Sequence, residues 1–229
     1  MKVAILQFPG SNCDWDAEHA VQDVLGIPAT RVWHKSPLPA ETEAVIVPGG
    51  FSFGDYLRCG AIARFSPIMK DLQSFAEKGG SVLGICNGFQ ILCEAGLLPG
   101  ALIRNDCLEF RCVNQKLKVE DSNEHFSPDT IGSELTIPIA HGEGNYRLEQ
   151  DALDKLESNN QVLLRYIGNP NGSINDIAGI RNEVGNVYGM MPHPERAVEK
   201  FHPSQDGLPI LEAFLGPIRS SSPIELSQS

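Results

Sequence analysis

Ser81-Val82-Leu83-Gly84-Ile85-Cys86-Asn87-Gly88-Phe89-Gln90-Ile91-Leu92 is the stretch on which the reading of this chain turns. Val82 to Ile85 is a short apolar run of the kind that makes a buried strand. Phe89 to Leu98 follows at once and reads as an amphipathic helix. A cysteine stands at the corner, bracketed as Gly84-x-Cys86-x-Gly88. That is the nucleophile-elbow pattern with sulfur in place of a serine oxygen. Glycine is expected on both sides, because a strand-to-helix turn this tight leaves no room for side chains. A helix N-terminus, with its unpaired N–H groups, also favours a thiolate at this corner.

Working outward, the neighbouring segments alternate between strand and helix. Lys2 to Phe8 reads as a first, central strand, and Asp14 opens a helix running to about Leu25. Thr30–His34 and Glu43–Val47 are the second and third strands. Pro48-Gly49-Gly50 ends the third abruptly. A long loop containing glycines and aromatics, 51–60, comes next, then a helix from Pro67 to Lys78 closed by Gly79-Gly80. Loops this long inside a compact domain tend to serve function. Strands alternating with helices imply a parallel sheet wrapped by helices, with its site at the carboxyl ends of the strands. Beyond residue 105 the pattern changes. Phe110–Val119 alternates in the manner of an antiparallel strand, and 135–140, 162–166, 178–181 and 187–191 follow as further strands. Asp151–Ser158 and Leu208–Leu215 are helices. Residues 217–229, with five serines and two prolines, read as a disordered tail after a single domain of 1–216.

Composition narrows the class. The chain has 229 residues, 41% hydrophobic and 21% charged, which suits a soluble α/β domain with a sizeable core. A formal net charge of −11 argues against nucleic acid or an anionic membrane as partner. No apolar run approaches the ~20 residues of a membrane span, and Met1-Lys2 leads into a strand and not a signal peptide, so a cytoplasmic location is expected. The six cysteines show no Cys-x-x-Cys pair and no zinc spacing with histidine, so neither a disulfide framework nor a metal is expected. No phosphate-binding glycine motif opens a helix, so no nucleotide cofactor is expected on this chain.

A thiol that attacks a carbonyl needs a base, and the base needs an orienting partner. His193 is the best-placed histidine, lying just past an apolar strand between Pro192 and Pro194. In an extended segment residues two apart share a face, so Glu195 would project beside it. The expected catalytic set is Cys86, His193 and Glu195. For the oxyanion, backbone N–H donors are expected from Asn87, directly after the nucleophile, and from Gly50, at the end of the neighbouring strand. His141 is read as a backbone-positioning or ligand-contacting turn residue. Cys13, Cys59, Cys93, Cys107 and Cys112 are read as small core residues. Asp55 and Arg58 stand as either an ion pair or part of a functional loop.

Three segments together carry a family resemblance: Pro48-Gly-Gly50, Gly84-Ile-Cys-Asn-Gly-Phe-Gln90 and His193-Pro-Glu195 resemble the markers of class I (triad) glutamine amidotransferases. Phe8–Asp14, Pro48–Arg64, Ala140–Tyr146, Asn169–Ser173 and Gly189–Arg196 are more specifically similar to the glutaminase subunits of phosphoribosylformylglycinamidine synthases, in purine biosynthesis. The likeness runs from residue 1 to about 216. One departure is Phe53, where that family commonly has tyrosine. The resemblance implies a flavodoxin-like α/β fold, a mixed, mostly parallel sheet with helices on both faces and an antiparallel extension. It implies hydrolysis of L-glutamine to glutamate and ammonia through a Cys86 thioester, with Gln90, His141, Gly142 and Glu143 binding glutamine. It also implies a large synthetase subunit, which would use ATP and Mg, and a small third subunit. The alternatives are a glutaminase serving another pathway, a stand-alone elbow-cysteine hydrolase or chaperone-like protein, and a non-catalytic domain with a degenerate site.

Overall fold

The structure, a computed structural model, describes residues 2–120 and 126–219 of the chain. Eleven strands and five α-helices are formed among these residues. The strands are β1 (Val3–Gln7), β2 (Ala29–Trp33), β3 (Ala44–Val47), β4 (Ser81–Ile85), β5 (Ala101–Ile103), β6 (Arg111–Val119), β7 (Glu134–His141), β8 (Asn145–Arg147), β9 (Val162–Tyr166), β10 (Ile177–Arg181) and β11 (Val187–Met190). The helices are α1 (Asp14–His19), α2 (Ile68–Glu77), α3 (Asn87–Glu94), α4 (Gln150–Ser158) and α5 (Gly207–Arg219).

Nine strands form one sheet in the order β2-β1-β3-β4-β11-β10-β9-β6-β7. The first five run parallel. The remaining pairings, β11-β10, β10-β9, β9-β6 and β6-β7, are antiparallel. The sheet is therefore the flavodoxin-like α/β arrangement with an antiparallel extension. β3 and β4 are buried almost throughout, as expected for parallel strands covered on both faces. β1 lies second from the sheet edge, not at its centre, because β2 pairs on its outer side. The chain steps from β1 outward to β2 through α1, and from β3 in the opposite sense to β4 through α2. Right-handed crossovers then set α1 and α2 on opposite faces. The divergence of the chain between β1 and β3 makes a crevice at the carboxyl ends of the strands.

Several bounds differ from the sequence reading for identifiable reasons. The first helix becomes a π-helical turn at Ala20–Val24. The apolar pattern there is compatible with either winding, so it carries no signal of the change. Helix α3 starts two residues earlier than the apolar pattern suggested and ends at Glu94, because the elbow turns directly into it and Gly96 closes it at φ 72°. The short pair β5 and β8 was not anticipated, with three residues in each strand giving no periodicity to read. Helix α5 continues to Arg219, past the expected domain end at 216, and the rest of the serine-rich tail lies outside the described residues.

Candidate active site

Cys86 caps the carboxyl end of β4 at φ 51° and ψ −106°, a conformation rare for any residue with a Cβ. Both bracketing glycines are there because backbone passes too close. A Cβ on Gly88 would stand 1.8 Å from the Val47 carbonyl oxygen, and one on Gly84 2.8 Å from the carbonyl carbon of Gly88. The tight corner turns the thiol out of the sheet plane, and the Cys86 N–H donates to Met190 O at 2.7 Å, tying the elbow to β11.

β11 is the strand beside β4, and the chain leaves it through Pro192 to His193. The sequence separation of Cys86 and His193 thus closes through one strand pairing. His193 Nδ1 is 2.6 Å from Glu195 Oε1, and both side chains are buried. The route to this contact differs from the extended segment expected: Pro194–Arg196 is a 3-10 turn, and it is this turn that folds Glu195 back under the imidazole. The His193 N–H bonds Pro138 O at 2.8 Å. Two residues along the same strand, Ala140 O accepts the Cys86 thiol at 3.7 Å. The antiparallel extension curls so that its last strand, β7, lies along the site and spaces base and nucleophile. Pro138, which has no N–H to give, is tolerated on such an edge strand.

Burial pushes the His193 imidazolium downward, but the Glu195 carboxylate and the Cys86 sulfur beside the ring outweigh it, and the net shift is well upward. An imidazolium held this way can deliver a proton. Nε2 makes no hydrogen bond among the described residues. The thiols of Cys86 and Cys13 both act on the ring.

The two backbone N–H groups expected to serve an oxyanion, those of Gly50 and Asn87, make no hydrogen bond among the described residues. Gly50 pairs with Ser11 in an isolated antiparallel bridge whose hydrogen bonds run between Phe51 N and Gly10 O and between Asn12 N and Gly49 O. The bridge leaves the Gly50 N–H without an acceptor among the described residues. Gly50 has φ 151°, and a Cβ there would lie 2.7 Å from Ser11 Cα. The N–H of Asn87 opens α3, where no earlier turn supplies an acceptor. The Asn87 side chain ties the two donors together: its Oδ1 accepts the Ser52 N–H at 3.2 Å, and its Nδ2 donates to Gln90 Oε1 at 2.9 Å.

A family model described as the CobB/CobQ-like glutamine amidotransferase domain matches residues 1–207. The chain belongs to this glutamine amidotransferase family. It is similar to a chain of PurLQS from Thermotoga maritima, at 42% identity and a TM-score of 0.86 over 95% of this chain and 98% of that one. A glutamine amidotransferase from Thermotoga maritima shares the fold at 14% identity, with a TM-score of 0.58 over 96% of this chain and 84% of that one.

In this amidotransferase two of the residues expected to bind glutamine, Gln90 and Glu143, form a hydrogen-bonded circuit with the 51–60 loop. Gln90 Nε2 donates to Glu143 O at 2.6 Å. The Glu143 carboxylate accepts the Cys59 N–H at 3.3 Å. With Ser52 held by Asn87, the loop is stitched to the site at both ends. Gln90 keeps one amide N–H and one lone pair beyond these contacts. His141 is turned inward: its Nδ1 lies 3.2 Å from Asn105 Oδ1, and its Nε2 makes a long contact of 3.5 Å with Asn171 Nδ2. The ring backs the 142–144 turn and does not present a nitrogen to the crevice. The Asp55–Arg58 ion pair does not form. Arg58 Nη2 instead donates to Glu94 at 2.8 Å, and burial pushes the Asp55 carboxyl up. Phe53, the departure from tyrosine, packs its ring edge against His34 with centroids 5.4 Å apart.

Cys13 belongs to the site's surroundings, which its reading as a plain core cysteine did not include. It is buried at the start of α1, and Arg196 Nη2 reaches its Sγ at 3.1 Å while also bonding Asp16. A Cβ on Gly49 would touch both His193 Cε1 and Cys13 Sγ, at 2.8 and 3.0 Å. Ligand atoms of Cys13, His193 and Glu195 converge within 4.8 Å. The Arg196 guanidinium on the sulfur opposes a metal cation, and Glu195 Oε1 is engaged by His193. The cluster reads as a hydrogen-bonded acid–base group. The signal for Cys13 was present only as the Phe8–Asp14 run, with no chemistry attached.

Burial and the neighbouring His193 push His141 down from its ordinary 6.5 to about 4. Between those values the unfolded chain binds a proton that the folded chain refuses, so stability falls as pH drops from 7 toward 4. The linkage is about 3 kcal/mol for a shift of this size. Denaturant unfolding of His141→Gln should show that much less loss between pH 7 and 4 than the unaltered chain; equal losses would contradict the buried neutral ring.

Proposed function

We propose that the chain is the glutaminase subunit of a phosphoribosylformylglycinamidine synthase, hydrolysing L-glutamine to glutamate and ammonia. The observation that carries the chemistry is the elbow cysteine beside a buried His193–Glu195 pair at 2.6 Å, with the Gly50 and Asn87 N–H groups making no hydrogen bond among the described residues. Similarity to a chain of PurLQS across nearly the whole length supports the choice of synthase.

In this reading Cys86 Sγ attacks the side-chain carbonyl carbon of glutamine. A C–S bond forms, and the carbonyl electron pair moves to oxygen, where Gly50 and Asn87 donate hydrogen bonds. His193 holds the proton of the thiol and passes it to the leaving nitrogen. The C–N bond breaks, ammonia leaves and a γ-glutamyl thioester remains. Water then attacks the thioester, giving its proton to His193. Collapse of that intermediate releases glutamate and returns the thiol. Glu195 keeps the ring oriented throughout. Gln90 and the 142–144 turn bind the amino-acid end of glutamine. Ammonia passes to an ATP- and Mg-using synthetase subunit, which converts phosphoribosylformylglycinamide to the amidine. A small third subunit completes the assembly.

The 51–64 loop is the surface on which we place the synthetase. Tyr56 and Leu57 are 74% and 92% exposed at its tip, and Phe51 and Phe65 are exposed on its flanks. Its ends reach Asn87 and Glu143, so docking acts on the oxyanion donors and the glutamine turn. Leu57→Asp should weaken association with the synthetase at least about tenfold while leaving the isolated fold unchanged. Unaltered association by light scattering or calorimetry would remove the loop from the interface.

The test of the reading is glutamate release by the purified chain, alone and with the synthetase subunit from the same source. Release that rises with the synthetase, and covalent labelling of the chain by a diazoketone analogue of glutamine, are the expected results. No release and no labelling under either condition would overturn it.

A further inference from the structure

Behind the 142–144 turn lies a polar cluster sealed from solvent. Asn105 and Asn171 are fully buried, at 0% exposure, with His141 and Ser173 nearly so. Buried amides cost stability unless their donors and acceptors are met. Here they are met, and mostly by one short segment. Asn105 Oδ1 accepts the Gly144 N–H at 2.9 Å and faces His141 Nδ1. Asn105 Nδ2 donates to His141 O and to Glu109 O, each at 2.9 Å. Asn171 Nδ2 donates to Gly144 O at 2.8 Å and lies 3.3 Å from the Tyr166 hydroxyl. Its Oδ1 accepts from the Ser173 N–H and hydroxyl, at 3.1 and 2.8 Å.

Two segments far apart in the chain, around Asn105 and Asn171, thus meet on the 141–144 turn. Its first carbonyl, its last N–H and carbonyl, and its imidazole are all held by two asparagine side chains. What remains to face the crevice is Glu143, whose carbonyl takes the Gln90 amide and whose carboxylate takes the Cys59 N–H.

We propose that Asn105 and Asn171 are positioning residues for the glutamine-binding half of the site, acting through the turn they clamp. The inference rests on the glutaminase reading above and names residues that set its substrate affinity. Two amides are suited to this task. They meet both nitrogens of the His141 ring without supplying a carboxylate to charge it, and a second imidazolium beside His193 would compete with the first. Burial and His193 already disfavour that charge. Neither asparagine touches Cys86 or Glu195 through any of these bonds, so the nucleophile and its base are left as they are.

The test is steady-state glutaminase kinetics of the full chain with its synthetase. Asn171→Ala should raise KM for glutamine at least about tenfold and change kcat by less than about threefold. Alkylation of Cys86 by iodoacetamide, a small probe that does not use the glutamine pocket, should keep its rate. Asn171→Leu has nearly the same shape, loses the hydrogen bonds without adding a carboxylate, and supplies the same reading if the alanine variant does not fold. An unchanged KM overturns the inference, as does a fall in kcat and alkylation with no rise in KM. An unaltered chain that releases no glutamate sinks the glutaminase reading itself. An unaltered chain that turns over glutamine, beside variants of unchanged KM, sinks this inference alone.

Discussion

Cys86→Ala leaves a folded subunit whose complex makes no product from glutamine yet still makes it from added ammonia. The expected loss of glutamine turnover is on the order of 10⁴- to 10⁶-fold, the scale on which removal of a covalent nucleophile is felt. Alanine fits the corner, because the strained backbone at φ 51° is imposed by its surroundings and the thiol's own contact, to Ala140 O at 3.7 Å, is weak. On the proposed function the synthetase, given its other substrates, needs no glutamine once ammonia is supplied, so its rate with ammonium salts should match the unaltered complex. Both rates are read from the same product assay. Glutamine turnover within about tenfold of normal would move the nucleophile elsewhere, and Cys13, the other thiol beside His193, would be the place to look.

Gly88→Ala gives no stably folded protein. A Cβ at this position would stand 1.8 Å from the Val47 carbonyl oxygen and 2.6 Å from its carbon. Both atoms are backbone of a buried strand, so no side chain can swing aside, and relief requires separating α3 from β3. Substitutions that force such a shift cost more than about 4 kcal/mol, a large part of the ~5–15 kcal/mol that holds a domain together. Thermal unfolding followed by circular dichroism measures it. A melting temperature within a few degrees of the unaltered chain would mean that the strand and helix are not in the contact described.

The parallel half of the fold was legible because buried strands are uniform apolar runs and the turns between them are marked by glycine and proline. Val45–Val47 and Val82–Ile85 need no further context. Sheet order is a different matter. Whether β1 lies in the middle or next to the edge depends on which side β2 pairs, and nothing between Lys2 and Trp33 states that. The three-residue strands β5 and β8 are too short to show a period, and one turn of π-helix at Ala20–Val24 uses the same apolar positions as an α-helix.

The site divides the same way. Cys86, His193 and Glu195 could be picked out because reactive residue types stand where strands end, and the structure sets His193 and Glu195 in contact beside Cys86. The reason for the His193–Glu195 contact was less visible. It is made by a 3-10 turn after Pro194, a local winding that a His-Pro-Glu sequence permits without demanding. Asn105 drew no attention in the sequence, and Asn171 and Cys13 stood only inside the quoted runs Asn169–Ser173 and Phe8–Asp14, with no role attached. They are ordinary types in irregular segments, and their place near the site comes from contacts dozens of residues away: Gly144 for the asparagines, Arg196 and His193 for the cysteine. The 51–60 loop lay between these cases. Its length marked it as functional, while its anchors on Asn87 and Glu143 are tertiary contacts.

The central claim is that Cys86 carries the acyl group of glutamine. It is tested most directly by mixing the complex with radiolabelled glutamine, quenching in acid within the first turnover and mapping the label by peptide digestion. The account predicts acid-stable label on the peptide containing Cys86, none on the peptide containing Cys13, and none in Cys86→Ala. Label on Cys13, or release of glutamate with no labelled peptide at any quench time, would contradict it.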